Sequence, residues 1–164
     1  LRDKNLIITD KMPQNFLYVG LIKASFPEAK ILHVKRNSAA VCWANYKQWF
    51  RSNDLAYSYS IDDIIKYHEL YEDIMEFWNN VLENKIYEVD YEALTINHEE
   101  EIKKLIRYVG LSWEESCLSP EKNNRSVSTA SNIQIRNKIF KGSSQKWKKY
   151  KPFLNGVLDK LDVS

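Results

Sequence analysis

The sequence predicts an α/β domain with a mainly parallel sheet flanked by helices. Short apolar runs alternate with amphipathic stretches along the chain, the pattern of strands linked by crossover helices. One stretch, Ala29 to Tyr46, joins one element of each kind through a polar turn, and the run from Ile61 to Leu82 carries the longest apolar stripe at helical spacing. At 164 residues, with 44% hydrophobic and 28% charged content, the chain fits a single domain spanning 1–164 with a real core.

In order, Leu6-Ile7-Ile8-Thr9 is β-rich and reads as a strand. Asp10-Lys11-Met12-Pro13 ends it with a helix start, because proline fits a first turn that has no N–H partner to lose. Phe16, Val19, Ile22 and Phe26 repeat at helical spacing until Pro27 stops them. Ile31, Leu32 and Val34 form a second strand, Arg36-Asn37-Ser38 breaks it, and Val41, Trp43 and Tyr46 open a helix running to about Phe50. Arg51 to Tyr59 is polar and loop-like. Ser60-Ile61-Asp62-Asp63 has capping-box form and opens the long helix, whose stripe is Ile61, Ile64, Ile65, His68, Tyr71, Met75, Trp78 and Leu82. Lys85 to Tyr91 alternates as a third strand. Glu99 to Val109 is an amphipathic helix with acids in its first turn, a core face of Ile102, Leu105, Ile106 and Val109, and Gly110 as its stop. Ser112 to Asn132 reads as a long surface loop, and Ser144 to Leu161 returns to helical spacing through Trp147, Tyr150, Leu154, Val157 and Leu161, interrupted at Pro152.

The Arg36 turn is the most informative feature for function. Ligands of open α/β sheets bind outside the carboxyl ends of strands, and there Arg36 would stand beside the first backbone N–H groups of a helix, both favouring a phosphate-like anion. The same residues also suit an ordinary strand–helix turn with a solvated arginine. Composition excludes several other classes. With 24 basic and 22 acidic residues the net charge is +2, so no global field argues for a nucleic-acid or membrane partner and nucleic acid is disfavoured, although acidic residues crowd the middle of the chain and basic ones its last third. Cys42 and Cys117 form neither a disulfide framework nor a metal pattern. No apolar run approaches a membrane span, and no metal is implied. There is no serine or cysteine nucleophile motif and no GxxxxGK[ST] loop, and His33, His68 and His98 read as packing or surface residues. What remains is cationic and hydroxylic: Lys11, Arg36, Tyr91, Ser131, Arg136 and Lys146.

Those residues sit in segments that together resemble the sulfotransferase superfamily. The segments are TDKMPQNFLYVGLI, FPEAKILHVKRN, the long helix ending in FWNNVL, VDYEAL, YVGLSWEESCL, TASNIQIR and SSQKWKKY, in this order over nearly the whole chain. The likeness is nearest to the tyrosylprotein sulfotransferases and to bacterial sulfotransferases that carry helical repeats upstream. It implies a partial P-loop-like fold and 3′-phosphoadenosine 5′-phosphosulfate as donor, with adenosine 3′,5′-bisphosphate as product. By the same likeness Arg36 holds the 3′-phosphate, Tyr91 contacts the nucleotide, Ser131, Gln134 and Arg136 belong to a loop wrapping it, and Lys146 binds phosphate. The family's serine eight residues after the arginine is Ala44 here, so Asn45 is the candidate donor in its place. Lys138 stands where many relatives have proline. Lys11 matches a lysine of the tyrosylprotein enzymes; protonated near neutrality, it suits a fixed cation on the transferring sulfuryl group better than a base.

The family's 5′-phosphosulfate loop and the expected base are not found in this sequence. The expectation is therefore a portion of a sulfotransferase, truncated at its N-terminus, that keeps the 3′-phosphate half of the donor site. The acceptor, a peptide tyrosine, carbohydrate or small molecule bearing a hydroxyl or amine, is left open. Three strands also leave a sheet edge without its expected partner, so the chain is expected to expose apolar surface or to pair with another chain, such as a second copy. A cytoplasmic location is favoured for a bacterial chain. The rival reading is a non-catalytic nucleotide- or polyanion-binding module, because Arg136, Lys138, Lys141, Lys146, Lys148, Lys149 and Lys151 alternate with Phe140, Trp147, Tyr150 and Phe153. A helix with its aromatics in the core and its lysines in water has this composition too.

Overall fold

A computed structural model describes residues 7–50, 53–83, 85–122 and 141–162. Pro13–Tyr18 forms a 3₁₀ turn that runs into helix α1, Val19–Ser25, with Pro13 in the first turn as the sequence predicts. Strand β1, Ile31–Lys35, leads through Arg36 and Asn37 into α2, Ser38–Lys47. A kinked 3₁₀ segment, Asn53–Tyr59, precedes α3, Ile61–Val81. Strand β2, Ile86–Asp90, is followed at once by α4, Tyr91–Ile96, and by α5, His98–Val109. The described remainder is short 3₁₀ pieces together with a longer one, Ser143–Phe153.

The sheet pairs β1 with β2 in parallel, Ile31 opposite Ile86 and Lys35 opposite Asp90. This fits the α/β class, with helices outweighing strand. The first expected strand is corrected: residues 7–9 form none, and Ile7 and Ile8 are 64% and 86% exposed. A β-prone run becomes a strand only where a neighbour takes its backbone hydrogen bonds, and these residues have no ladder partner among the described ones.

α3 is the spine of the domain, and its start follows the local signal closely. Ser60 Oγ accepts the Asp63 N–H at 3.3 Å, satisfying one of the free donors of the first turn. Ile64, Ile65, His68 and Met75 are buried along its predicted stripe. Its first half packs into a core with Ala39, Ala40 and Cys42 of α2 and with Trp147, Leu158 and Leu161. Its second half meets Val19 of α1 and Ile86 of β2. The inward face of α2 is therefore Ala39, Ala40 and Cys42, whereas Tyr46 is 43% exposed. It is the small side chains of α2 that share the buried core with Ile64 and Ile65 of α3, which hydrophobicity alone does not foretell.

Two further expectations shift. In β2, Ile86 and Val89 are both buried although they point to opposite faces. Tyr87, on the Val89 face, stacks on Tyr108 of α5 at 4.4 Å, while Ile86 faces α1 and α3, so β2 is covered on both sides. The C-terminal stretch is 3₁₀ rather than α-helical, with Pro152 inside it. Three residues per turn bring Ser144 and Trp147 to one side, and both are buried. Asn155 and Gly156 then take positive φ, and the reversed chain turns Leu158 inward, a residue outside the predicted stripe.

Gly20 is where α1 crosses α3. A Cβ there would lie 2.6 Å from two ring atoms of Trp78. That ring is anchored, because Trp78 Nε1 donates to the Phe16 carbonyl at 2.7 Å. Gly20→Ala is expected to destabilise the fold by roughly 1–3 kcal/mol, the cost of overpacking. A lower denaturant midpoint at unchanged slope is the signature, and an unchanged midpoint would show that Trp78 swings aside freely.

On the same sheet face His33 meets Tyr71 of α3: its Nε2 is hydrogen-bonded to the phenol, and its Nδ1 lies 3.9 Å from a Glu88 carboxylate oxygen. Burial holds the His33 pKa below the ordinary imidazole value; Glu88 opposes this and Lys35 adds to it. Burial, helped by Glu72 and Glu88, pushes the Tyr71 phenol up to about 12. Because the folded His33 pKa is lowered, below about 6.5 the unfolded chain takes up a proton that the folded chain resists. His33 therefore contributes fully above that pH, and its contribution is lost as pH falls from there toward the folded value. Urea unfolding at neutral and mildly acidic pH should show a smaller acid loss in His33→Gln than in the parent; equal losses would clear His33 of the effect.

Candidate functional site

The parallel register sets the site. Lys35 lies opposite Asp90, so both strands end at the same level and the next residues, Arg36 and Tyr91, emerge side by side. The Arg36 guanidinium sits 5.0 Å from the centre of the Tyr91 ring. Both meet the start of the Ser143–Phe153 segment: Arg36 Nε donates to Ser144 Oγ at 2.9 Å, and Ser143 Oγ donates to the Tyr91 hydroxyl at 3.1 Å. Gly142, at φ 79°, makes the turn that presents the two serines, a conformation open to glycine without strain. A cavity of about 230 Å³ adjoins this cluster and shares Ser143 and Ser144 with it; Glu92, Thr95, Lys141 and Gly142 also line it, whereas Arg36 and Tyr91 do not.

The start of α2 is more occupied than the sequence suggests. Asn37 caps it, its Oδ1 accepting the Ala40 N–H at 2.9 Å. The Asn37 N–H donates to Glu92 Oε1 at 3.4 Å, and its Nδ2 donates to Asp162 Oδ1 at 3.3 Å. Lys148 pairs with the other oxygen of Asp162 at 3.3 Å. Two carboxylates thus take the backbone and side-chain N–H donors of Asn37 at the head of α2, and Arg36 with the hydroxyls stands beside them as the cationic, anion-compatible part of the cluster.

Of the residues singled out from sequence, Arg36 and Tyr91 are brought together. Lys146 is exposed, two residues past Ser144 on the same segment. Asn45 is half-buried and Ala44 exposed, near the far end of α2, about 12 Å along the axis from Asn37 at 1.5 Å per residue. Lys11 is exposed ahead of the Pro13 turn, beside Asp10, which accepts from Asn15 Nδ2 at 2.7 Å. Ser131, Gln134, Arg136 and Lys138 lie outside the described residues. Sequence reasoning missed Ser143, Ser144, Glu92 and Asp162. The Lys141-Gly142-Ser143-Ser144 run was the available signal, a glycine turn carrying hydroxyls and a cation.

Of the basic aromatic stretch, Arg136, Lys138 and Phe140 lie outside the described residues, and the described part packs partly within the fold. Trp147 is 1% exposed, Tyr150 lies 4.7 Å from the Trp43 ring, and Lys151 pairs with Asp159 at 3.2 Å. Lys148 and Lys151 are thus paired and Trp147 is packed, while Tyr150 and Phe153 are 45% and 81% exposed. Among the described residues no His, Cys, Asp and Glu group is placed to hold a metal, and no helix is long and apolar enough to cross a membrane.

Together these features define an α/β domain with a guanidinium and three hydroxyls gathered at the carboxyl ends of two parallel strands, chemistry suited to a phosphate-like group. The chain belongs to the sulfotransferase family, which it matches over residues 1–115. It is also 40% identical over 156 residues to an uncharacterized protein of Aquifex aeolicus (strain VF5), covering 94% of this chain and 20% of that protein. The chain thus spans about one fifth of that relative's length.

Proposed function

We propose that this chain supplies the nucleotide 3′-phosphate half of a sulfotransferase donor site, and that the whole protein moves a sulfuryl group from 3′-phosphoadenosine 5′-phosphosulfate to a hydroxyl or amine acceptor. The observation that carries the reading is Arg36, stacked on Tyr91 and bonded to Ser144, at the shared ends of β1 and β2. A guanidinium fork with flanking hydroxyls suits a phosphate monoester. The adjoining cavity of about 230 Å³, which shares Ser143 and Ser144 with the cluster, is small beside the roughly 300–1,000 Å³ of pockets that enclose whole ligands, so it offers room for one end of a nucleotide rather than for all of it.

In the transfer the acceptor oxygen or nitrogen attacks sulfur, the bond from sulfur to the 5′-phosphate oxygen breaks, and adenosine 3′,5′-bisphosphate leaves. The acceptor proton passes to a base that the residues of this chain do not identify. Arg36 orients the donor from its far end, and Lys11 is assigned to the charge developing at the transferring group. Ser131, Gln134, Arg136, Asn45 and Lys146 are assigned to the nucleotide on the family likeness. The acceptor class, peptide tyrosine, carbohydrate or small alcohol, is decided elsewhere in the site.

Calorimetry with adenosine 3′,5′-bisphosphate and with adenosine 5′-monophosphate tests this reading. Binding that requires the 3′-phosphate is expected. Equal affinity for both nucleotides, or binding that collapses steeply with salt as polyanion contacts do, would count against it.

A further inference from the structure

The bond between Glu92 and Asn37 is not needed to cap α2, because Asn37 already does so with its own side chain. Its backbone N–H is nevertheless taken by a carboxylate that arrives from a different turn. Asn37 follows Arg36, and Glu92 follows Tyr91. This single contact therefore joins the turn that delivers the guanidinium to the turn that delivers the phenol. Glu92 is half-buried and lines the cavity beside Lys141, Ser143 and Ser144. As a negative charge it works against an anion held by Arg36 beside Ser144; as a hydrogen-bond acceptor it ties the wall of that cavity to the Arg36 turn.

We propose that Glu92 is a positioning residue of this site: acting through the Asn37 N–H, its side-chain oxygen holds Arg36 over Tyr91, while its charge opposes the anion bound there. The identity of that anion rests on the donor reading above. The tie between the two turns is a property of the chain itself. The oxygen and the charge are separable, since glutamine keeps an acceptor oxygen without the charge and alanine keeps neither.

Two measurements on the 164-residue chain test the proposal. In ¹⁵N correlation spectra the Arg36 Nε–H, bonded to Ser144, should give a resolved, slowly exchanging signal, assigned by its absence in Arg36→Lys. It is expected to persist in Glu92→Gln and to broaden or vanish in Glu92→Ala. Titration with adenosine 3′,5′-bisphosphate should weaken about tenfold in Glu92→Ala, the scale at which supporting contacts act. In Glu92→Gln it should tighten roughly two- to fivefold, as expected for removing one partly exposed like charge. Should the alanine variant not fold, Glu92→Asp takes its place, keeping the charge but shortening the reach, with the same loss expected. An Arg36 signal unaffected by losing the oxygen overturns the proposal, as does equal tightening in the alanine and glutamine variants, which would leave Glu92 a repelling charge only. If the signal behaves as expected but neither parent nor variants bind the bisphosphate, the donor reading falls and the positioning role stands.

Discussion

Trp147→Ala is expected to lower the stability of the fold by about 3–5 kcal/mol, the range for emptying a buried tryptophan site. Trp147 is 1% exposed and packs with Ala39, Ala40 and Cys42 of α2, Ile64 and Ile65 of α3, and Leu158 and Leu161 near the C-terminus. It is the largest side chain in that cluster, and two alanines among its neighbours cannot expand to fill the space. Since domains are stable by only about 5–15 kcal/mol, the loss would consume a large part of the total. The effect should reach the site as well, because Ser143 and Ser144 are carried on the same 3₁₀ segment. Trp147→Phe is the informative companion. The indole Nε1–H is buried with no hydrogen-bond partner among the described residues, so phenylalanine gives up volume but no bond seen there, and its loss should be much the smaller. Urea unfolding of the two variants beside the parent decides. Similar midpoints for Trp147→Ala and the parent would mean that the C-terminal segment is not part of the cooperative core.

Arg36→Ala should weaken adenosine 3′,5′-bisphosphate by about 1.5–3 kcal/mol, the range for hydrogen bonds to a charged group. That corresponds to roughly 10- to 150-fold in dissociation constant. The fold should tolerate the change, because Arg36 is half-buried in a turn and contributes one bond to Ser144 and one ring contact to Tyr91. Arg36→Lys should recover only part of the affinity. Lysine keeps the charge but loses the flat fork that stacks on the tyrosine and bonds in two directions. Undiminished binding in Arg36→Ala, measured by calorimetry on a folded variant, would remove Arg36 from the site and with it the main support for the donor reading.

The signals legible in the sequence were those whose energetics are settled within a turn or two of chain. The Ser60 cap, the Ile61–Leu82 stripe, Pro13 in a first turn, Gly110 at the end of α5 and the strand–turn–helix around Arg36 all have this character. Each depends on neighbours three or four residues away, which the sequence displays directly. The family likeness likewise rests on ordered local motifs, and the match over residues 1–115 agrees with it.

What the sequence by itself determined is thus the order of the central elements from β1 through α3 to β2 and α5, the α/β class and the placing of a cation at the end of β1. Only the tertiary structure decided which extended run became a strand, since residues 7–9 are as β-prone as β1 but have no ladder partner among the described residues. It also decided which face of α2 turned inward, by the fit of two alanines and a cysteine against α3. The composition of the site was decided the same way. Ser144 is 108 positions from Arg36, and Asp162 is 125 from Asn37. Contacts at such separations follow from how helices pack and where a glycine turns the chain, and no local propensity encodes them.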